Sequence, residues 1–353
     1  MYEVTPVNVH LVGSIPMTNA DEVFSTVARI LGDRVLRIPD GETGERSNWV
    51  SWQLPLLQAH PALEPDPESS VPQRATAEDG LAVDARKFRF LRVKPGIGGE
   101  DFEIEAQYAQ YAVASFHTFD QLQQTGGIPP EVRFQVSLPT PYAVASLYMA
   151  PSSWPTFLQA YERAVARDVA AISQGIPLQR LAIQWDVCME VLACEGLLTV
   201  PQGNPESFTF EQLRRLCDMV PNEADVGIHL CYGDPGYKHV VEPKDATILT
   251  KLANGIAAAV DRKLNWIHMP VPKDRCDDAF FAPLKNLRLP PETELYLGLV
   301  HFTDQEEGAR QRIAAAARVV PKFGIATECG FGRRPPETVV PLLELHSRIA
   351  SGG

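Results

Sequence analysis

The sequence predicts an α/β chain folded as a single (β/α)8 TIM barrel, and three observations predict it. Eight short apolar runs recur along the 353 residues, each bounded by polar or turn residues. Amphipathic segments follow most of them, the alternation expected of a parallel sheet buried on both faces. No GxGxxG follows an early run, so an open dinucleotide-binding sheet fits less well than a closed barrel of eight units.

The expected strands are Val7–Val12, Arg34–Pro39, Arg133–Leu138, Leu181–Asp186, Val226–Cys231, Leu264–Met269, Leu295–His301 and Phe323–Cys329. Between them, apolar residues at helical spacing mark Ala20–Leu31, Trp154–Gln174, Thr209–Met219, Asp245–Asp261, Gln305–Val319 and Pro336–Ile349. One stretch breaks the alternation. His60–Gln73 is rich in Pro, Glu and Ser, Lys87–Lys94 alternates apolar and basic residues, and Pro95–Gly99 follows. We read 57–105 as a long excursion after the second strand, either a hairpin lid over the barrel mouth or a surface loop. No second-domain boundary or internal repeat interrupts 1–353, so one catalytic domain is expected.

Composition narrows the function classes. The formal net charge is −12 and the pI about 5.2, with no local basic stripe, which disfavours nucleic acid as a partner. The first residues lack a basic segment followed by a long apolar stretch, and no run is long enough to span a bilayer. A cytoplasmic protein without membrane association is expected; oligomeric state is left open. The six cysteines form no CxxC pair and no dense framework, so a disulfide scaffold is not expected. Most cysteines are small buried hydrophobes. Two invite another reading.

Strand five ends in Ile228-His229-Leu230-Cys231-Tyr232, and residues two apart on a strand point the same way. Strand eight ends in Glu328-Cys329-Gly330, strand six carries His268, and strand seven ends at His301. In a (β/α)8 barrel these ends meet at one face, where active sites sit. His229, Cys231 and Cys329 offer one nitrogen and two sulfurs, a donor set that suits Zn2+ better than magnesium or calcium, with His268 the candidate fourth ligand. A core histidine with two inert thiols is the alternative. Carboxylates gather at the same face. Asp186 closes strand four and Glu42 follows strand two, each placed to hold an ammonium or act as a base, or else to cap a helix or sit in solvent. Gly13 and Ser14 follow strand one, where exposed backbone N–H groups are placed either to hold a carboxylate or simply to form an ordinary loop after a strand.

These segments together resemble the C-terminal catalytic barrel of cobalamin-independent methionine synthase, in the superfamily shared with uroporphyrinogen decarboxylase and epoxyalkane:coenzyme M transferase. The likeness runs thinly from about residue 8 to 350. His229-Leu230-Cys231-Tyr232 is similar to that family's HxCY zinc motif and Glu328-Cys329-Gly330-Phe331 to its DCG motif. Val12-Gly13-Ser14 is similar to its IGS segment, which holds an amino-acid carboxylate; Gly41-Glu42 and the Asp186 of IQWD are similar to the acidic pair that holds the amino group. Two departures stand out: the family has a glutamate where His268 stands, and the DIHSP pattern around its general-acid histidine is absent, although His301 falls at or near that place. The likeness covers only the catalytic barrel and not the half of the methionine synthases that helps hold folate, so a pterin donor is not expected from it.

The resemblance implies a zinc-dependent transfer of a methyl or other alkyl group to a homocysteine-like thiol, through a metal-held thiolate, with His301 and Asp186 catalytic. The partners implied are a small-molecule thiol and an alkyl donor. Three alternatives remain on the residues alone: a zinc hydrolase, a zinc-dependent lyase acting on a small polar substrate, and a barrel with a structural zinc. Strand one reads His10-Leu11-Val12 where many barrel hydrolases carry HxH, which weakens the first. A fourth ligand from His268 would favour the last.

Overall fold

A computed structural model describes residues 8–69, 89–234 and 239–351. In chain order its strands are β1 (Arg37–Pro39), β2 (Leu63–Pro65), β3 (Leu91–Val93), β4 (Arg133–Pro139), β5 (Leu181–Val187), β6 (Asp225–Leu230), β7 (Trp266–Pro270), β8 (Glu294–Gly298) and β9 (Gly324–Ile325). Seven of them form one curled parallel sheet in the order β1-β4-β5-β6-β7-β8-β9.

The expected closed barrel of eight strands is corrected here to seven. Val7 lies outside the described residues, and the rest of the first expected strand makes no ladder. Val9 forms single parallel bridges to Val35 and to Ile325, so this segment lies between the two edges of the sheet. Val9 donates to Arg34 O (2.8 Å) and His10 to Ile325 O (2.9 Å). Farther along, side chains take the backbone acceptors. Gln135 Nε2 donates to the carbonyls of Leu11 (3.0 Å) and Val12 (3.1 Å), and Ser137 Oγ to that of Val12 (3.0 Å). A carbonyl bonded to a side chain inside the sheet leaves no ladder to propagate.

Helices cover the outer face for reasons visible in their sequences. Ala20–Leu31 starts at Asn19, whose side chain accepts from Glu22 N (2.9 Å), while Glu22 Oε2 accepts from Thr18 N (2.9 Å). The helix buries Val23, Phe24, Val27, Ala28 and Leu31, one stripe at helical spacing. Trp154–Gly175, Pro205–Asp218, Thr247–Ala259, Gln305–Ala317 and Val339–Ala350 fall within a few residues of the expected segments. Among the helices that were not expected are Tyr108–Gln124 and Pro141–Tyr148, with the shorter Gln53–Ala59, Met189–Cys194 and Asp278–Phe281. No helix among the described residues is long and apolar enough to cross a membrane.

Within the excursion β2 and β3 pair antiparallel, Leu63 opposite Val93. Residues 70–88, with part of the Lys87–Lys94 segment, lie outside the described residues. The hairpin is fixed to the body through a parallel bridge from Leu91 to Met149 and a bond from Ala150 N to Leu91 O (2.8 Å).

Polar and aromatic side chains fill the inside of the sheet. Register places Gln184 beside Gly227 and Gly227 beside Trp266, and above them Asp186 beside His229 and His229 beside His268. Gly227 is required there, since a Cβ would lie 1.9 Å from Trp266 Cε2. Gln184 links the layers. Its Oε1 accepts from His10 Nε2 (2.9 Å), and its Nε2 donates to Asp186 Oδ1 (2.9 Å) and to Val12 O.

Candidate metal centre

At the carboxyl ends of these strands lies a cavity of about 350 Å³. Its wall carries His229, Cys231 and Cys329 together with Gly13, Ser14, Glu42 and Asp186. The described part of 57–105 contributes nothing to this lining; Ser47–Ser51 and Leu147–Tyr148 close that side.

His229 and Cys231 leave β6 on one face, and Cys329 arrives from the segment after β9. The two sulfurs are 3.6 Å apart, and Cys329 Sγ is 3.9 Å from His229 Nε2. All three ligand atoms lie within 4.8 Å of one another. Tetrahedral zinc with Zn–S about 2.3 Å and Zn–N about 2.0 Å requires S···S near 3.8 Å and S···N near 3.6 Å. The donor set and its spacing fit zinc. A bound cation would let both thiols ionise. Cys231 is pushed up by its neighbour Cys188 and by burial, and Cys329 by Cys231 and by burial. Two thiols this close cannot both lose a proton without a positive charge between them.

The structure places His268 beside the group but outside it. Its Nδ1 faces His229 Nδ1 at 2.7 Å, and its Nε2 faces Thr327 O at 3.0 Å. Burial holds His229 well below its ordinary range, with His268 and His10 adding to the effect, and holds His268 down at about 3.

Across the cavity, Asp40 builds the turn that presents Glu42. Its carboxylate accepts from Glu42 N (3.0 Å), Arg46 NH2 (2.6 Å) and Ser115 Oγ (2.7 Å). Glu42 sits at φ 51, an uncommon conformation for a residue with a side chain, after Gly41 at φ 79. Burial and the nearby Asp186 raise Glu42 to about 8, and burial raises Asp186 to about 7. Ser14 is clasped by the segment after Cys329: Phe331 N donates to its carbonyl (2.7 Å) and Gly332 N to its Oγ (3.3 Å). Gly330 permits this, because a Cβ there would lie 2.4 Å from Ser14 Oγ.

His301 does not line the cavity. Its Nε2 donates to Val271 O (2.9 Å) and its Nδ1 faces Glu328 Oε1 at 3.6 Å. Glu328, quoted within the sequence motif but not singled out, is buried next to Cys329, with His239 Nε2 at 3.0 Å and Arg334 NH2 at 3.9 Å. Burial alone would raise it, but His239, His301 and Arg334 together lower it. Asp234 was also missed. It lines the cavity, is buried, has an unpartnered Oδ1, and is raised to about 7 by burial and by Glu328. Its place three residues past Cys231 was the available signal, since the end of β6 was already assigned to the site.

No protein-family profile matches the chain, and no curated protein matches it in sequence. Solved structures do match in fold. One is a protein from Listeria monocytogenes assigned as a vitamin-B12-independent methionine synthase, 12% identical, with a TM-score of 0.56 over 99% of this chain and 98% of that one. Another is a B12-independent methionine synthase from Shewanella sp. in complex with selenomethionine, 12% identical, with a TM-score of 0.61 over 99% of this chain and 97% of that one. The chain therefore shares the α/β fold of these methionine synthase-like proteins, built on a curled parallel sheet.

Proposed function

We propose that this chain is a transferase that moves a methyl or other alkyl group onto the thiol of a small, amino-acid-like acceptor at a zinc centre. The observation that carries the reading is the position of the His229–Cys231–Cys329 group, on the wall of a cavity that Glu42 and Asp186 also line. A structural zinc has no need of a cavity. The folds shared with methionine synthase-like proteins support the same reading.

Zinc bound there would keep an incoming thiol ionised, where a free thiol with a pKa near 8.5 is only a few per cent thiolate at pH 7. The chain's own residues orient the acceptor. With its sulfur toward the three ligands, an amino thiol directs its ammonium at Glu42 and Asp186 and its carboxylate at the Gly13–Ser14 backbone. Both carboxyls are raised into the range of about 7 to 8, so an ammonium that pairs with them displaces protons. Asp186 thereby places the acceptor. Asp234, also near neutrality and facing the cavity, is suited to give a proton to the departing donor. His301 acts on this end through Glu328, because it has no access to the cavity.

The test incubates the zinc-loaded protein with L-homocysteine and other small thiols, each with a set of small methyl donors, and looks for thioether by mass spectrometry. Thioether that disappears with Cys329→Ser supports the reading. Absence of product, together with no thiol raising the thermal midpoint, would count against it.

A further inference from the structure

We propose that His268 is a positioning residue: it fixes the tautomer of His229 so that Nε2 presents its lone pair to the metal. The inference rests on the metal-centre reading. It also departs from the ligand role that the position of His268 suggests.

His229 and His268 occupy paired positions on β6 and β7, so their rings lie on the same inward face. Their Nδ1 atoms are 2.7 Å apart, a distance that admits one proton and no more. The other nitrogen of His268 is 3.0 Å from Thr327 O. A carbonyl only accepts, so His268 Nε2 carries hydrogen, and a neutral imidazole with hydrogen there has a lone pair at Nδ1. The shared proton therefore belongs to His229 Nδ1. That leaves His229 Nε2 bare on the side facing Cys329 Sγ. Both His268 nitrogens are then occupied, and no fourth protein ligand comes from this ring.

The chain of bonds starts on the segment that carries a ligand. Thr327 stands two residues before Cys329, and its Oγ1 donates to Cys329 O (2.5 Å). One short segment thus supplies a sulfur and, through His268, aims the nitrogen that faces it. Ligating histidines are commonly oriented through their second nitrogen, and loss of such a partner lowers metal affinity by about 10–100-fold.

The experiment compares the full chain with His268→Gln and His268→Leu. Gln keeps a carbonyl that can accept from His229 Nδ1 and an amide that can donate to Thr327 O; Leu has neither. Zinc affinity is read by competition with a chromophoric chelator, and the His229 tautomer by ring 15N shifts in the metal-free protein. The expected result is an Nδ1–H tautomer at His229 in wild type and His268→Gln. In His268→Leu that tautomer is lost and zinc affinity falls about 10–100-fold, with His268→Gln close to wild type. A wild-type tautomer and affinity in His268→Leu would overturn the proposal. So would X-ray absorption showing one nitrogen fewer around zinc in His268→Gln. If wild type binds no zinc, the metal-centre reading fails, while the 15N shifts still decide the tautomer question independently.

Discussion

The His229 imidazole and the Cys329 thiol, 100 residues apart in sequence, face each other across 3.9 Å. They do not come from neighbouring strands: β7 and β8 lie between β6 and β9 in the sheet. Only a sheet curled far enough to bring distant strand ends to one mouth allows the contact. The ligand group is thus a property of the fold, with Cys231 joining the pair at 3.6 Å from Cys329.

Purified protein is therefore expected to hold about one zinc per chain, measured by elemental analysis. Cys329→Ser and His229→Ala each remove a ligand and should release it. A zinc content unchanged in both variants would place the metal elsewhere.

The raised carboxyls predict a pH dependence. Glu42 and Asp186 stand at about 8 and about 7 in the folded chain, above their ordinary values of 4.5 and 3.8. The folded state then binds more protons than the unfolded state across this window. Their contribution to stability is complete below about pH 4 and is lost as pH rises through 7 to 8. His239, raised to about 10 by Glu242 and Glu328 against the effect of burial, adds a slope of the same sign above pH 6.5. The diagnostic is consequently the difference between chains. The thermal midpoint of ligand-free Glu42→Gln should fall less between pH 5 and 8 than that of wild type. Parallel curves would contradict the assignment.

Substrate binding should run the other way. Ionised carboxylates hold an ammonium and protonated ones do not, so acceptor affinity should strengthen from pH 6 to 8.5. Calorimetry in buffers of different ionisation enthalpy should show proton release on binding. An amino thiol whose affinity is flat over that range would argue against Glu42 and Asp186 as its partners.

Asp40 is expected to matter more than its position away from the cavity suggests. It satisfies Glu42 N, Ser115 Oγ and Arg46 at once. Asp40→Ala takes the carboxylate from the half-buried Arg46, which stays over the Tyr111 ring, at a cost of about 1–3 kcal/mol in urea unfolding. It also frees the Glu42 turn, which should raise KM for the acceptor more than it lowers kcat.

A Cβ at Gly330 would press on Ser14. Gly330→Ala should cost about 1–3 kcal/mol, and combining it with Ser14→Ala should cost less than the sum, since the 2.4 Å contact is to Ser14 Oγ. Additive effects would show that the two segments move apart freely.

The sequence made the inner strands legible because they are buried on both faces: β4, β5, β6 and β7 fall within two residues of the apolar runs. The first expected strand failed for a reason no hydropathy pattern carries, namely Gln135 and Ser137 capturing its carbonyls from strands more than a hundred residues away. Helix Tyr108–Gln124 was missed because its polar residues include four glutamines without a clean apolar stripe, and it starts at Gln107 with no side-chain cap. Pro141–Tyr148 was detectable, since Thr140 caps it and Pro141 follows at the first helical position. At the site, the structure brings His229, Cys231 and Cys329 within 4.8 Å of one another and sets Glu42 and Asp186 in the same cavity, as residue spacing predicts. Spacing does not distinguish the roles of His229 and His268, because both rings face the same interior and differ only in which nitrogens remain unengaged.

Three protein ligands on zinc would leave its fourth position to the acceptor sulfur. Zinc X-ray absorption on the purified protein, with and without an amino thiol such as L-homocysteine, tests it most directly. The expected shell has about two sulfurs without the thiol and about three with it, at Zn–S near 2.3 Å. A shell of four protein ligands that the thiol leaves unchanged would contradict it.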